Sequence, residues 1–123
     1  MRVLIVILFI FNGFSASAAE LLMLEEEGCG WCEAWDEEVG QAYNKTELGK
    51  LLPLKKLDID SPTLSAYKLL RPVMFTPTFI VVDGSSEVGR ITGYLGDYQF
   101  WSLLEELIIR VPLTRSPNAE PVS

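Results

Sequence analysis

Leu21-Leu22-Met23-Leu24-Glu25-Glu26-Glu27-Gly28-Cys29-Gly30-Trp31-Cys32 is the stretch that decides the fold of this chain. The apolar run reads as a short buried strand over residues 20–25. The two cysteines are the only ones present, and they open an amphipathic segment, residues 30–43. There Cys32, Trp35, Val39 and Ala42 or Tyr43 recur at helical spacing, with Glu33, Asp36, Glu37 and Glu38 between them. Two thiols where a helix starts behind a strand suit disulfide exchange. The positive helix end favours the thiolate of Cys29, and Cys32 lies one turn in, placed to close the ring.

Upstream, Arg2 is followed by nine apolar residues, Val3–Phe11, and then by a small-residue stretch at 15–19. That order matches a secretory signal peptide, with cleavage expected after Ala18 or Ala19. Nine residues are too few to cross a bilayer as a helix, which needs about 20. The expected organisation is therefore a signal peptide (1–19), one domain (20–110) and a mobile, proline-containing tail (111–123). The expected destination is a bacterial periplasm.

Loss of Arg2 would leave nine basic residues against seventeen acidic ones. Such a surface repels nucleic acid and anionic lipid, and it keeps the protein soluble. The chain has no histidine. Ser-His-Asp triads, Cys-His pairs and histidine-bearing metal sites are thereby excluded. Export changes how the cysteines read. A structural disulfide stabilises most when it closes a long loop, whereas Cys-x-x-Cys closes a very short one. The spacing points to chemistry.

Downstream, residues 44–52 are ambiguous, and residues 53–59 alternate in part as a strand. Ser61-Pro62 reads as an N-cap followed by proline at the first helical position, with a helix through Leu64, Tyr67, Lys68 and Leu70 that stops before Pro72. Residues 78–82 form the clearest strand. Asp83-Gly84 signals a hairpin, and residues 87–94 supply the return strand. Asp97 is placed to cap a last helix with Phe100, Trp101, Leu104, Leu107 and Ile108 on its core stripe. The order is β-α-β-α-β-β-α, an α/β fold with a four-stranded mixed sheet and helices on both faces.

Two features coincide with that order. Cys29-Gly30-Trp31-Cys32 sits between the first strand and helix, and Phe75-Thr76-Pro77-Thr78-Phe79 enters the third strand. Together they resemble the thioredoxin superfamily over residues 21–109. The resemblance implies a thioredoxin-like fold with a cis-proline at Pro77 beside the redox cysteines. It also implies that Thr76 offers its backbone to an extended substrate segment. Cys29-Gly30-Trp31-Cys32, the signal peptide and Gly89-Arg90-Ile91-Thr92-Gly93-Tyr94 are closer to small exported thioredoxins, the SoxS type found with bacterial sulfur-oxidation enzymes. That closer likeness implies a role in keeping a cysteine of a sulfur-carrier protein reduced. The chain also departs from thioredoxin: Gly-Trp replaces Gly-Pro between the cysteines, and Met23 stands where thioredoxin carries a buried acid. Glu25, Glu26 or Glu27 would have to substitute for that acid, and the run reads more simply as solvated loop charges.

The expected enzyme is a thiol–disulfide oxidoreductase acting as a protein-disulfide reductase. Cys29 attacks and Cys32 resolves; Trp31, Thr76, Pro77 and Gly93 form the substrate surface. The acidic residues around Cys29 disfavour a second negative charge and tilt the pair towards reduction over oxidation or isomerisation. No cofactor and no metal is expected. A disulfide-bearing protein is the substrate, and a membrane electron donor restores the dithiol. Two readings of other classes remain open: a copper-binding protein using Cys29, Cys32 and Met23 or Met74, and a non-catalytic interaction domain on the same fold.

Overall fold

In the computed structural model, which describes residues 19–111, the apolar run at 21–24 lies inside β1 (Ala19–Glu25). Leu21, Leu22, Met23 and Leu24 are all fully buried. Such a run does not alternate because both faces of its strand are covered. β1 occupies an inner position in the sheet, whose order is β2-β1-β3-β4. It pairs in parallel with β2 (Leu54–Asp58) and antiparallel with β3 (Thr78–Asp83), and β3 pairs antiparallel with β4 (Ser86–Thr92). This is the expected mixed sheet. The hairpin forms at Gly84, whose φ of 65° is a conformation that glycine adopts without a Cβ penalty.

On one face, Leu21 and Met23 of β1 and Phe79 and Val81 of β3 pack beneath the helices. α1 (Gly30–Trp35) runs through a π-helical stretch, Asp36–Gly40, into α2 (Gln41–Tyr43) without leaving helical backbone angles. The ambiguous stretch after it is a short helix, α3 (Glu47–Leu51). Thr46 caps it by accepting a hydrogen bond from the Gly49 N–H. α4 (Asp97–Ile108) closes this face with Phe100, Leu104 and Leu107 buried. Trp35 is the hub of this layer, its ring centroid 5.3 Å from Phe79 and 5.6 Å from Phe100. Tyr43 is sealed beside it and donates its hydroxyl to the Leu52 carbonyl at 2.7 Å.

The opposite face is built differently from the sequence expectation. Leu22, Leu24, Ile80 and Val82 are covered by Leu57, Leu64, Tyr67, Leu69 and Val73. Ser61 caps and Pro62 starts a helix as expected, but the helix is a single 3₁₀ segment, Pro62–Ala66. At Tyr67 the backbone is already extended, and Lys68 bridges to the β hairpin through the Ser85 carbonyl and the Glu87 N–H. Tyr67 donates its hydroxyl to Glu20 and accepts from Lys55. These tertiary bonds draw residues 67–68 out of the helix.

Two further expectations are adjusted. The N-cap of α4 is Gly96, and Asp97 is its first residue, accepting from the Tyr98 N–H at 2.7 Å. Val111, assigned to the tail, is buried in the core. The expected signal peptide up to residue 18 and the expected tail beyond residue 111 lie outside the described residues. No described helix is long and apolar enough to cross a membrane.

Candidate functional site

Cys29 is the N-cap of α1. Gly28 precedes it with φ 77°, a turn that aims the chain from β1 into the helix. The Cys29 N–H donates to the Glu26 carbonyl at 3.3 Å, and its carbonyl accepts from Glu33. Cys32 follows one turn later and forms a disulfide with Cys29, and its N–H points at Cys29 Sγ at 3.1 Å. The two sulfurs are not equivalent. Cys29 is half-buried, whereas Cys32 is 3% exposed and packs into the core. The helix N–H aimed at Cys29 Sγ is the local form of the positive helix end that stabilises a thiolate.

The cysteines open onto a cavity of about 320 Å³ lined by Gly28, both cysteines and six acidic residues, Glu25, Glu26, Glu27, Glu33, Asp36 and Asp58. Lys56, on β2, pairs with Asp36 and with Glu25, the latter at 3.7 Å. The position of Met23 beneath the site is fully apolar and sealed, so no acid stands there.

The Thr76–Pro77 peptide bond is cis, and Pro77 is buried. Its carbonyl accepts from the Gly93 N–H at 2.8 Å, which joins the two segments assigned to the substrate surface. Gly93 has φ 85° and open space where a Cβ would stand, so backbone conformation, not crowding, calls for glycine there. Thr76 donates Oγ1 to Glu26 Oε1 at 2.8 Å. Glu26 in turn accepts from the Cys29 N–H, so Cys29, Glu26 and Thr76 form one connected unit. Among the described residues the N–H and C=O of Thr76 have no protein partner. Trp31 is 64% exposed and stands at the surface between the cysteines in sequence, outside this hydrogen-bonded unit.

Sequence reasoning missed Glu26 as a link, named Met74 only as a possible copper ligand and did not single out Phe75; these two are 73% and 67% exposed just before the Thr-Pro turn. Two large apolar residues ahead of Thr76-Pro77 were the available signal. Tyr94 is also part of the surroundings: it is buried and donates its hydroxyl to Glu38 Oε2. Burial, followed by that carboxylate, raises its pKa above the usual phenol value. Among the described residues no group of three or more cysteine or carboxylate residues is arranged to hold a metal ion.

No family model matches the sequence, and no curated protein matches it. Solved structures do. The periplasmic thioredoxin SoxS from Paracoccus pantotrophus, in its reduced form, is 40% identical, with 75% of this chain and 97% of that chain covered and a TM-score of 0.72. The oxidised thioredoxin of Plasmodium falciparum shares the fold at 23% identity, with 73% and 81% covered and a TM-score of 0.55. Fasciola hepatica thioredoxin does so at 19% identity, with 72% and 79% covered and a TM-score of 0.55. The described sheet, the Cys29–Cys32 pair at a helix start and 40% identity across nearly all of a periplasmic thioredoxin agree: the chain belongs to the thioredoxin superfamily, as a SoxS-like thiol–disulfide oxidoreductase.

Proposed function

We propose that the protein is an exported reductase of protein disulfides, with Cys29 as nucleophile and Cys32 as resolving thiol. The inequality of the two sulfurs is the observation that carries this reading: at the cavity both residues line, Cys29 is only half-buried, whereas Cys32 is 3% exposed and packs into the core. The Cys29 thiolate attacks one sulfur of a client disulfide. A mixed disulfide forms, and the other client sulfur leaves as thiolate and takes up a proton. Cys32 then loses its proton and attacks Cys29 Sγ, which releases the second client thiolate. The protein ends as the Cys29–Cys32 disulfide, and the client has gained two electrons and two protons. A dithiol donor in the membrane restores the starting state.

Thr76 is suited to hold the client. Its free N–H and C=O are the pair that an extended peptide would engage as an added strand. Met74, Phe75 and Trp31 give that peptide an apolar surface, and Pro77 and Gly93 hold the loop from behind. The six acidic residues at the cavity disfavour accumulation of charge on Cys29 and so favour a reducing pair. Periplasmic residence is supported by the SoxS relative and by the order of residues 1–19. Cleavage after Ala18 leaves β1 whole, because Ala19 is a buried strand residue. The client we favour is a sulfur-carrier cysteine, on the likeness to the SoxS type.

The experiment is reduction of insulin with dithiothreitol as donor, followed by equilibration with glutathione. Wild-type protein should turn over insulin, and Cys29→Ser should abolish turnover. A reduction potential below about −230 mV supports the reductase, and one near about −180 mV or above assigns an isomerase or oxidase instead. In the native compartment, Cys32→Ser should accumulate a mixed disulfide through Cys29; capture of no client would remove the catalytic reading.

A further inference from the structure

Arg90 on β4 reaches across the sheet face to the loop that carries Met74, Phe75 and Thr76. Its side chain is 5% exposed, and that of its partner Glu87 is fully buried. Nε donates to Glu87 Oε1 at 2.9 Å, and Nη2 also bonds that oxygen. Nη1 donates to the Pro72 carbonyl at 3.2 Å, and Nη2 to the Arg71 carbonyl at 2.7 Å. One planar fork thus holds two consecutive carbonyls of a segment without helix or strand. A lysine cannot reproduce that geometry.

A bulge in β4 makes this possible. Residues three apart on a regular strand point to opposite faces. Here Glu87 pairs with Val82, Gly89 with Val81 and Arg90 with Ile80, so Val88 is the extra residue. Glu87 and Arg90 therefore share the face of Val82 and Ile80, where residues 67–73 pack. Burying an ion pair is a poor route to stability, since desolvation of both groups offsets their attraction. Among the described residues Glu87 Oε2 has no hydrogen-bond partner. What the pair does provide is a fixed place for the backbone at 71–72. The same loop is tied at its far end by Thr76 to Glu26, beside Cys29. Between these two anchors stand the exposed Met74 and Phe75.

We propose that Arg90, oriented by Glu87, is a positioning residue for client binding: it fixes the 71–76 ridge relative to Cys29 and so sets affinity for protein disulfides without entering the chemistry. This rests on the reading of Met74, Phe75 and Thr76 as client contacts. A small disulfide needs only Cys29 and Cys32, whereas a protein client needs the ridge as well.

The test compares insulin, under dithiothreitol-driven turnover, with the small disulfide reagent dithionitrobenzoate, mixed with pre-reduced protein freed of dithiothreitol, for wild-type protein, Arg90→Met and Arg90→Lys. Arg90→Met should raise KM for insulin about tenfold with kcat little changed, and leave the dithionitrobenzoate rate within about twofold of wild type. Arg90→Lys keeps a cation against Glu87 but loses the fork. It should melt near the wild-type temperature yet still show a several-fold higher insulin KM. Proportional loss on both substrates, no change on either, or a wild-type KM in Arg90→Lys would each overturn the proposal. If Arg90→Met does not fold, Arg90→Lys decides alone. Failure of the wild-type protein to reduce insulin strikes the reductase reading itself, so the two failures are distinguishable.

Discussion

Tyr43 shows how a single side chain is fixed by its surroundings. Its ring fills the core next to Trp35 and lies flat against Trp101, and its hydroxyl meets the Leu52 carbonyl. Burial pushes its ionisation well above the ordinary phenol value of 10.0. The unfolded chain therefore loses this proton first as the solution becomes alkaline. The contribution is fully present below about pH 10 and is lost as pH rises towards the native value, so stability falls with increasing pH in that range. Tyr94 adds to the same trend. Urea unfolding at about pH 9 and about pH 11 should show the decline, and Tyr43→Phe should shrink it. At neutral pH that variant should be less stable by about 1–3 kcal/mol, because the Leu52 carbonyl loses its buried donor.

At the scale of elements, the turn from α2 into α3 is the tightest piece of the helical layer. Tyr43 supplies its carbonyl to the Thr46 N–H at 3.1 Å and to Thr46 Oγ1 at 2.7 Å. Gly49 lies directly against that carbonyl, and a Cβ there would overlap backbone, which cannot swing aside as a side chain can. Gly49→Ala should destabilise by about 1–3 kcal/mol despite the better helix propensity of alanine, read as a lower urea midpoint. Nothing in the sequence announces this contact, because it joins residues through three-dimensional packing. β1, β3 and α1 were legible for the opposite reason: their apolar runs and spacing are local signals. Residues 67–71 were not. Their helical pattern was outweighed by Glu20, Lys55 and Ser85, partners distant along the chain. The β4 bulge was hidden in the same way, since Val88 is an ordinary strand residue by type.

For the molecule as a whole, charge and apolar surface are arranged around one sulfur. Seventeen acidic residues oppose ten basic ones in the full chain, and six of the acids face the cavity at Cys29 and Cys32. A field of that sign disfavours negative charge on Cys29 and attracts clients with basic flanks. Added salt should therefore speed alkylation of reduced Cys29 by neutral iodoacetamide at constant pH, because screening lets more thiolate form. The same salt should slow encounter with a basic peptide disulfide. Stopped-flow rates at about 20 mM and about 500 mM sodium chloride would show the two opposite slopes, and equal slopes would remove the electrostatic account. At this scale the cysteine spacing and the Thr76-Pro77 turn made the family readable. The link between them through Glu26, and the Arg90 hold on residues 71–72, join partners distant along the chain and left no local signal.

The contrast between the two covers of the sheet has its own consequence. One side carries α1, α2 and α4 over a ring of packed aromatics, while the other carries a five-residue 3₁₀ segment and a polar-anchored loop over Leu22, Leu24, Ile80 and Val82. The thin side is where subglobal opening belongs, with residues 61–76 detaching as a unit while the strands and long helices stay assembled. The ridge proposed to meet the client is part of that unit. Recognition and local unfolding thus draw on the same reservoir of free energy, and a bound client would be expected to slow amide exchange on the far side of the sheet from its own disulfide.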